Sequence, residues 1–120
     1  MDNGQIDDAL DRAVLEELRS LQGEGEPDLV AELFDSFREE APTLIAAMRT
    51  AVTQANAEKL KQAAHSLKGS SAGLGAKPLA AISAEVEKLG RAGLVVGAEE
   101  KIDAIEREFV RVIQALESLT

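Results

Sequence analysis

An apolar stripe with helical spacing runs through residues 27–54 of this 120-residue chain. Apolar side chains recur there every three or four residues, which places them on one face of an α-helix: Leu29, Val30, Leu33, Phe34, Phe37, Leu44, Ile45, Met48 and Val52. The stripe continues in register after Pro42, which predicts one bent helix rather than two helices. At about 1.5 Å per residue this helix is roughly 40 Å long, enough to span a helical bundle.

The rest of the chain also has helical periodicity, and no segment shows the two-residue alternation of a half-buried strand. Apolar spacing, together with glycine and proline positions, predicts five helices, over residues 7–22, 27–54, 56–73, 77–91 and 97–119. Asp7 or Asp11 is expected to cap the first helix, whose stripe consists of Leu10, Val14, Leu18 and Leu21. Pro27 is expected at the first turn of the second helix, and Asn56 is expected to cap the third.

Short, glycine-containing connections favour antiparallel neighbours. The expected fold is therefore all-α, an up-down-up-down antiparallel four-helix bundle with an additional short N-terminal helix, forming a single domain over residues 1–120. The only aromatic residues are three Phe, so the core must be built mainly from Leu, Ile, Val and Ala, which suits closely packed helices.

Charge and composition exclude several classes of function. The 22 acidic and 13 basic residues leave a net charge of −9, which disfavours nucleic acid and anionic membranes as partners. The chain lacks cysteine, an apolar run long enough to span a bilayer and the pattern of a signal peptide. A cytoplasmic monomer is the expectation.

The single histidine, His65, lies in the third predicted helix. The buried stripe of that helix is expected to contain Leu60, Ala64, Leu67, Ser71 and Leu74. His65 lies about 100° further round than Ala64 and shares its side with Lys68 and Gly69, which predicts that the imidazole faces solvent. A glycine within a helix costs about 1 kcal/mol relative to alanine, so Gly69 suggests that another molecule approaches closely beside His65.

Other chemistries at His65 lack their partners. One histidine without cysteine makes a poor zinc site, and no HExxH spacing is present. The nearby serines lie within the helix, where a catalytic serine would lack a rigid turn and an oxyanion hole. No glycine-rich nucleotide motif occurs, so a phosphoryl group on His65 would have to come from outside the chain.

The stretch Ala64-His65-Ser66-Leu67-Lys68-Gly69-Ser70-Ser71, followed by Gly73 and Gly75-Ala76, resembles the histidine-containing phosphotransfer (HPt) domain family of multistep two-component phosphorelays. Leu33-Phe34 through Phe37, with Glu40-Ala41-Pro42, look like the second helix of that family. Leu79 and the stretch Glu85-Val86-Glu87-Lys88-Leu89-Gly90-Arg91 resemble its fourth helix. The resemblance covers nearly the whole chain.

The resemblance implies a shuttle that accepts a phosphoryl group from the aspartyl phosphate of one receiver domain and passes it to the aspartate of another. His65 would be the phosphoacceptor, attacking through Nε2, and Lys68 would stabilise the phosphoryl oxygens. Gly69 would leave clearance for the receiver. Gln62 is a possible phosphate contact, although a solvated glutamine is the simpler interpretation, and the serines after Gly69 are interpreted as helix-packing residues.

The same resemblance implies a phosphorelay intermediate rather than a self-sufficient enzyme. It needs no intrinsic cofactor or metal, because the Mg²⁺ is expected on the partner receiver domain. The implied partners are response-regulator receiver domains and a hybrid histidine kinase. Docking is expected on the exposed part of the third helix and on the neighbouring face of the second or fourth helix. On the second helix, Ala31, Phe34 or Ser36 could contribute.

Two alternatives stay open at this point. The chain could be an HPt-like interaction module that binds a kinase or receiver without being phosphorylated, although the intact His-x-x-Lys-Gly pattern argues against this. It could also be an HPt domain excised from a hybrid sensor kinase. Met1 and the short acidic lead favour a free-standing protein.

Overall fold

The computed structural model describes residues 9–21, 23, 25 and 28–119, with only the backbone described at 119. These residues form five α-helices and no strand, which confirms the prediction of an all-α fold. The helices are α1 Arg12–Leu21, α2 Leu29–Thr53, α3 Ala57–Gly73, α4 Lys77–Arg91 and α5 Ala98–Leu119. Within the same ranges, no helix is both long enough and apolar enough to cross a membrane.

Short polar side chains cap the starts of α1 and α3. Asp11 accepts a hydrogen bond from the backbone N–H of Ala13 at 2.9 Å, so Asp11 is the cap of α1, and Asp7 lies outside the described residues. Asn56 accepts one from the backbone N–H of Lys59 at 3.0 Å, as predicted. Each cap satisfies a donor that has no partner within its helix.

The start of α2 differs from the prediction. Asp28 caps this helix by accepting a hydrogen bond from the backbone N–H of Ala31 at 3.2 Å, and Leu29 is the first helical residue. Pro27, which was expected at the first turn, lies outside the described residues. Further along, α2 continues unbroken through Pro42, which confirms that the proline does not divide the stretch into two helices.

The four long helices contact one another in cyclic order. α3 packs against α2 and α4, α5 packs against α4 and α2, and α1 packs against α2. Ion pairs fix the register of α2 against α5: Arg38 lies 3.4 Å from Glu117, and Arg49 lies 2.9 Å from Asp103. The largest fully buried apolar side chains are Leu10, Met48, Leu60, Leu67, Leu79, Ile102, Ile105, Leu116, Val86 and Val112.

The predicted stripe of the first helix is wrong at its carboxyl end. Leu10 is buried as predicted, although it precedes α1 because the cap is Asp11. Leu21 is the last residue of α1 and is 75% exposed. The described residues therefore leave this end of the stripe uncovered.

Gly90 lies where α4 meets α3. It is buried near the end of α4, whose bounds, Lys77–Arg91, match the predicted helix over residues 77–91. A Cβ at position 90 would lie 2.7 Å from the backbone oxygen of Ala57 and 2.7 Å from the backbone nitrogen of Lys61. The two backbones are therefore in direct contact where α4 crosses the start of α3, an approach that only glycine allows. One turn away, this crossing brings Glu87 beside His65.

Candidate functional site

His65 lies on the outer face of α3. Its side chain is 68% exposed, whereas the neighbouring Ala64 and Leu67 are fully buried. The structure thus places the imidazole in solvent, as the helical phase predicted. A large partner can reach an exposed imidazole but could not reach a buried one.

The Nδ1 atom of His65 is held by a buried carboxylate. It lies 2.9 Å from Oε2 of Glu87 on α4, whose side chain is only 4% exposed. An ionised carboxylate accepts hydrogen bonds and cannot donate them, so Nδ1 must carry the proton. The neutral ring then has its lone pair on Nε2, the nitrogen suited to act as a nucleophile.

Glu87 also binds two cations. Oε1 lies 2.7 Å from Nζ of Lys68, and Oε2 lies 2.7 Å from a guanidinium nitrogen of Arg91. Hydrogen bonding by Lys68, followed in importance by that of His65, outweighs the opposing effect of burial and lowers the pKa of Glu87 to about 2. Glu87 therefore stays ionised at physiological pH and links the two helices beneath the imidazole.

Sequence reasoning missed Glu87 and Arg91. The large apolar residues Ile82 and Leu89 are only half-buried, and the fully buried face of α4 is rotated toward smaller and polar residues. That face consists of Leu79, Ser83, Val86, Glu87 and Gly90. The available signal was that Glu87 is spaced four residues from Ser83 and therefore shares the buried face of the helix. A buried acid requires a cationic partner, which would have directed attention to Lys68 and Arg91.

A cleft of about 450 Å³ lies beside the imidazole, between α3 and α4. Its lining includes Lys61, Gln62 and Arg91. The side-chain amide of Gln62 donates a hydrogen bond to Glu58 at 3.1 Å, and Lys61 pairs with the same carboxylate at 3.2 Å. Gln62 thus borders the space next to His65 while its amide is bound within its own helix.

Gly69 stands in open space. Apart from its chain neighbours and the backbone of its own helix, a Cβ at this position would have no described atom within 4 Å, so packing within the described residues gives no reason for a glycine there. It borders a groove of about 310 Å³ between α3 and α2, which Ser36 also lines. Of the other two residues considered for docking, Phe34 is buried and Ala31 is half-buried.

The two serines after Gly69 have separate surroundings. The hydroxyl of Ser70 donates a hydrogen bond to Glu40 on α2 at 2.5 Å. Ser71 is fully buried in the core face of α3, and its hydroxyl has no hydrogen-bond partner within the described part of the chain. Ser71 is thus a small packing residue, as interpreted from the sequence, and Ser70 joins two helices.

The fold and the site together define a helical protein that presents a nucleophilic histidine on an open surface. The family model described as "Hpt domain" matches residues 32–118, and the chain belongs to this family. The chain is also similar to the crystal structure of histidine-containing phosphotransfer protein B (HptB) from Pseudomonas aeruginosa PAO1, with 30% sequence identity, 92% of each chain covered and a TM-score of 0.82. A comparison with curated proteins gave no match. The chain functions in histidine phosphotransfer within a phosphorelay.

Proposed function

We propose that this chain carries phosphoryl groups between aspartyl-phosphate receiver domains and that His65 is the residue that carries them. The observation that supports this most strongly is the pairing of an exposed imidazole with a buried carboxylate at Nδ1. This pairing directs the lone pair to Nε2 on a side chain that a folded partner can reach.

The transfer is a displacement at phosphorus. Nε2 of His65 attacks the phosphorus of the receiver's aspartyl phosphate, the P–N bond forms and the P–O bond to the aspartate breaks. The aspartate leaves as a carboxylate, so this step needs no external acid. Transfer to a second receiver is the reverse step, in which its aspartate attacks and the imidazole leaves. The two half-reactions conserve the phosphoryl group.

Lys68 is placed to bind the phosphoryl oxygens. Its side chain is 37% exposed, and its ammonium group lies on the carboxylate that also holds His65. An ammonium group has three N–H donors, so Lys68 can retain Glu87 and still donate to a phosphoryl oxygen. Gln62 borders the same cleft and is a secondary candidate for a phosphate contact once its amide leaves Glu58.

Gly69 provides clearance for the docked receiver, which we expect to contact the outer face of α3. The open space around this position supports the assignment, because packing among the described residues does not explain the glycine. The grooves that flank α3 on its α2 and α4 sides extend the docking surface to the neighbouring helices. Ser36 is the α2 residue of the predicted set that borders Gly69.

The chain acts as a phosphorelay intermediate rather than as a catalyst on its own. Receiver domains and a hybrid histidine kinase are its partners, and the receiver supplies the Mg²⁺, so the chain uses no cofactor of its own. A cytoplasmic monomer is the form that suits this shuttle. The net charge of −9 disfavours nucleic acid as a competing partner.

The four long helices run up-down-up-down in the arrangement that we infer. Ion pairs join early α2 to late α5 and late α2 to early α5, through Arg38–Glu117 and Arg49–Asp103. Gly90, near the end of α4, meets Ala57 at the start of α3. Both registers are those of antiparallel neighbours.

The test is transfer of labelled phosphate from a panel of receiver domains of the same organism, each phosphorylated with acetyl phosphate in the presence of Mg²⁺. The wild type is expected to acquire an acid-labile, alkali-stable phosphate, and His65→Gln is expected to acquire none. Gln114→Ala, at an exposed position of α5, is the control and should be labelled like the wild type. A wild type that binds a receiver but takes no label would instead be a non-phosphorylated interaction module.

A further inference from the structure

The carboxylate of Glu87 has three donors on two oxygens. Oε1 accepts from Lys68, while Oε2 accepts from both Nδ1 of His65 and Arg91. Orientation of the imidazole would need only one of these contacts. A buried anion with this many partners also controls the charge that the ring can carry, and that charge changes during phosphoryl transfer.

The proton on Nδ1 determines how easily the phosphohistidine releases its phosphoryl group. When neutral His65 attacks through Nε2, the ring keeps its Nδ1 proton and becomes a phosphorylated imidazolium. When the P–N bond then breaks, the leaving group is neutral imidazole. If the Nδ1 proton has been lost to solvent in the meantime, the leaving group is an imidazolate anion, which leaves far more slowly.

The charged groups around the site lie on three helices. On α3, Lys68 is paired with Glu87, and Lys61 is paired with Glu58. On α4, Arg91 is paired with Glu87. On α2, the carboxylate of Glu40 accepts a hydrogen bond from Ser70, five residues after the histidine.

Removal of the charge of Glu87 would change the balance around the ring. Lys68 and Arg91 would then face the imidazole without the anion that now lies between them. Two uncompensated cations disfavour a third positive charge at close range. The protonated phosphoimidazole would be disfavoured, and the ring would lose its Nδ1 proton at a lower pH.

We propose that Glu87 is a positioning residue that keeps the Nδ1 proton on His65 in both the free and the phosphorylated state. The phosphoryl group then enters and leaves the ring without any exchange of a proton with solvent. This inference rests on the proposed function, since it concerns the phosphorylated form of His65.

The experiment compares wild type with Glu87→Gln, which has nearly the same shape and no charge. Both proteins are phosphorylated with phosphoramidate, a small donor that needs no receiver. Hydrolysis of the P–N bond is then followed by ³¹P NMR from about pH 5 to about pH 10. In both proteins the rate of hydrolysis should fall as the pH rises. The midpoint of this fall should lie about one pH unit or more higher in the wild type than in Glu87→Gln. At pH values above both midpoints, a separation of one unit should make the variant hydrolyse about tenfold more slowly.

The controls separate charge from fold. Glu85→Gln removes an exposed carboxylate of α4 that pairs with Lys101, and its pH profile should match the wild type. Glu87→Asp keeps the charge and should retain most of the wild-type pH profile. This variant tests the role of the charge in case Glu87→Gln folds poorly. Identical pH profiles for wild type and Glu87→Gln would overturn the inference while leaving the proposed function intact. A wild type that takes no phosphate from receivers would instead contradict the proposed function.

Discussion

Gly90 of α4 lies so close to α3 that a Cβ there would stand 2.7 Å from the backbone nitrogen of Lys61. Gly69, on the exposed face of α3, would meet no described atom within 4 Å outside its own helix if it carried the same Cβ. The two glycines therefore serve different purposes. The first allows the helix crossing that brings Glu87 to His65, and the second leaves the surface beside His65 open.

Gly90→Ala is expected to lower the free energy of unfolding by about 1–3 kcal/mol, because the added methyl group overlaps backbone atoms that cannot move away independently. Urea unfolding monitored by circular dichroism measures this. The variant should also show weaker coupling between Glu87 and His65, visible as a change in the imidazole NMR signals. Stability equal to that of the wild type would mean that α3 and α4 are further apart than described.

Gly69→Ala should raise the free energy of unfolding by about 0.5–1 kcal/mol, since alanine favours the helix and restricts the unfolded chain. A bulky residue should be tolerated by the fold but not by the partner. Gly69→Phe is therefore expected to weaken binding of the phosphorylating receiver by about tenfold or more, as measured by titration calorimetry. Ala81→Phe, at an exposed position of α4, is the control. An equal loss in both variants would contradict a specific role for Gly69.

Lys68→Ala is expected to slow phosphotransfer or shorten the lifetime of the phosphohistidine by about threefold to tenfold, because one charge-assisted hydrogen bond to the phosphoryl group is lost. Rapid-quench transfer from a labelled receiver and the decay of isolated phosphoprotein measure the two effects. Arg107→Ala removes an exposed cation of α5 and should leave both unchanged. If Lys68→Ala also behaves like the wild type, Lys68 serves only to bind Glu87.

Acid should weaken the fold through Glu87. Its pKa is lowered to about 2 in the folded protein, first by Lys68 and then by His65, from an ordinary value of 4.5. A carboxylate with a depressed folded-state pKa contributes stability above its unfolded pKa, and this contribution is lost as the pH falls through the folded value. The free energy of unfolding should thus decline from about pH 4.5 toward about pH 2.

Glu87→Gln should show a shallower decline over the same range, because it has no carboxylate to protonate. Urea unfolding at several pH values gives the slopes. Glu39→Gln, which replaces an exposed carboxylate on α2, controls for the change in net charge and should decline like the wild type. Parallel slopes for wild type and Glu87→Gln would show that the ion pairs of Glu87 do not stabilise the folded state.

Helical periodicity was sufficient to predict the exposure of His65, because the phase of α3 is set by a continuous series of buried side chains. The apolar stripe of α2 likewise predicted one helix through Pro42. Glu87 could not be assigned in the same way. Its burial depends on which residues of α3 lie opposite α4, and that register depends on the backbone contact at Gly90. A sequence shows that a glycine is present, but it does not show which other helix the glycine faces.

The central claim is that Nε2 of His65 receives the phosphoryl group while Nδ1 stays bound to Glu87. The most direct measurement is NMR of ¹⁵N-labelled protein after phosphorylation by a receiver, with the phosphorus-to-nitrogen coupling identifying the modified atom. The account predicts coupling to Nε2 of His65 and a proton retained on Nδ1. Phosphorus bonded to Nδ1, or to any residue other than His65, would contradict it.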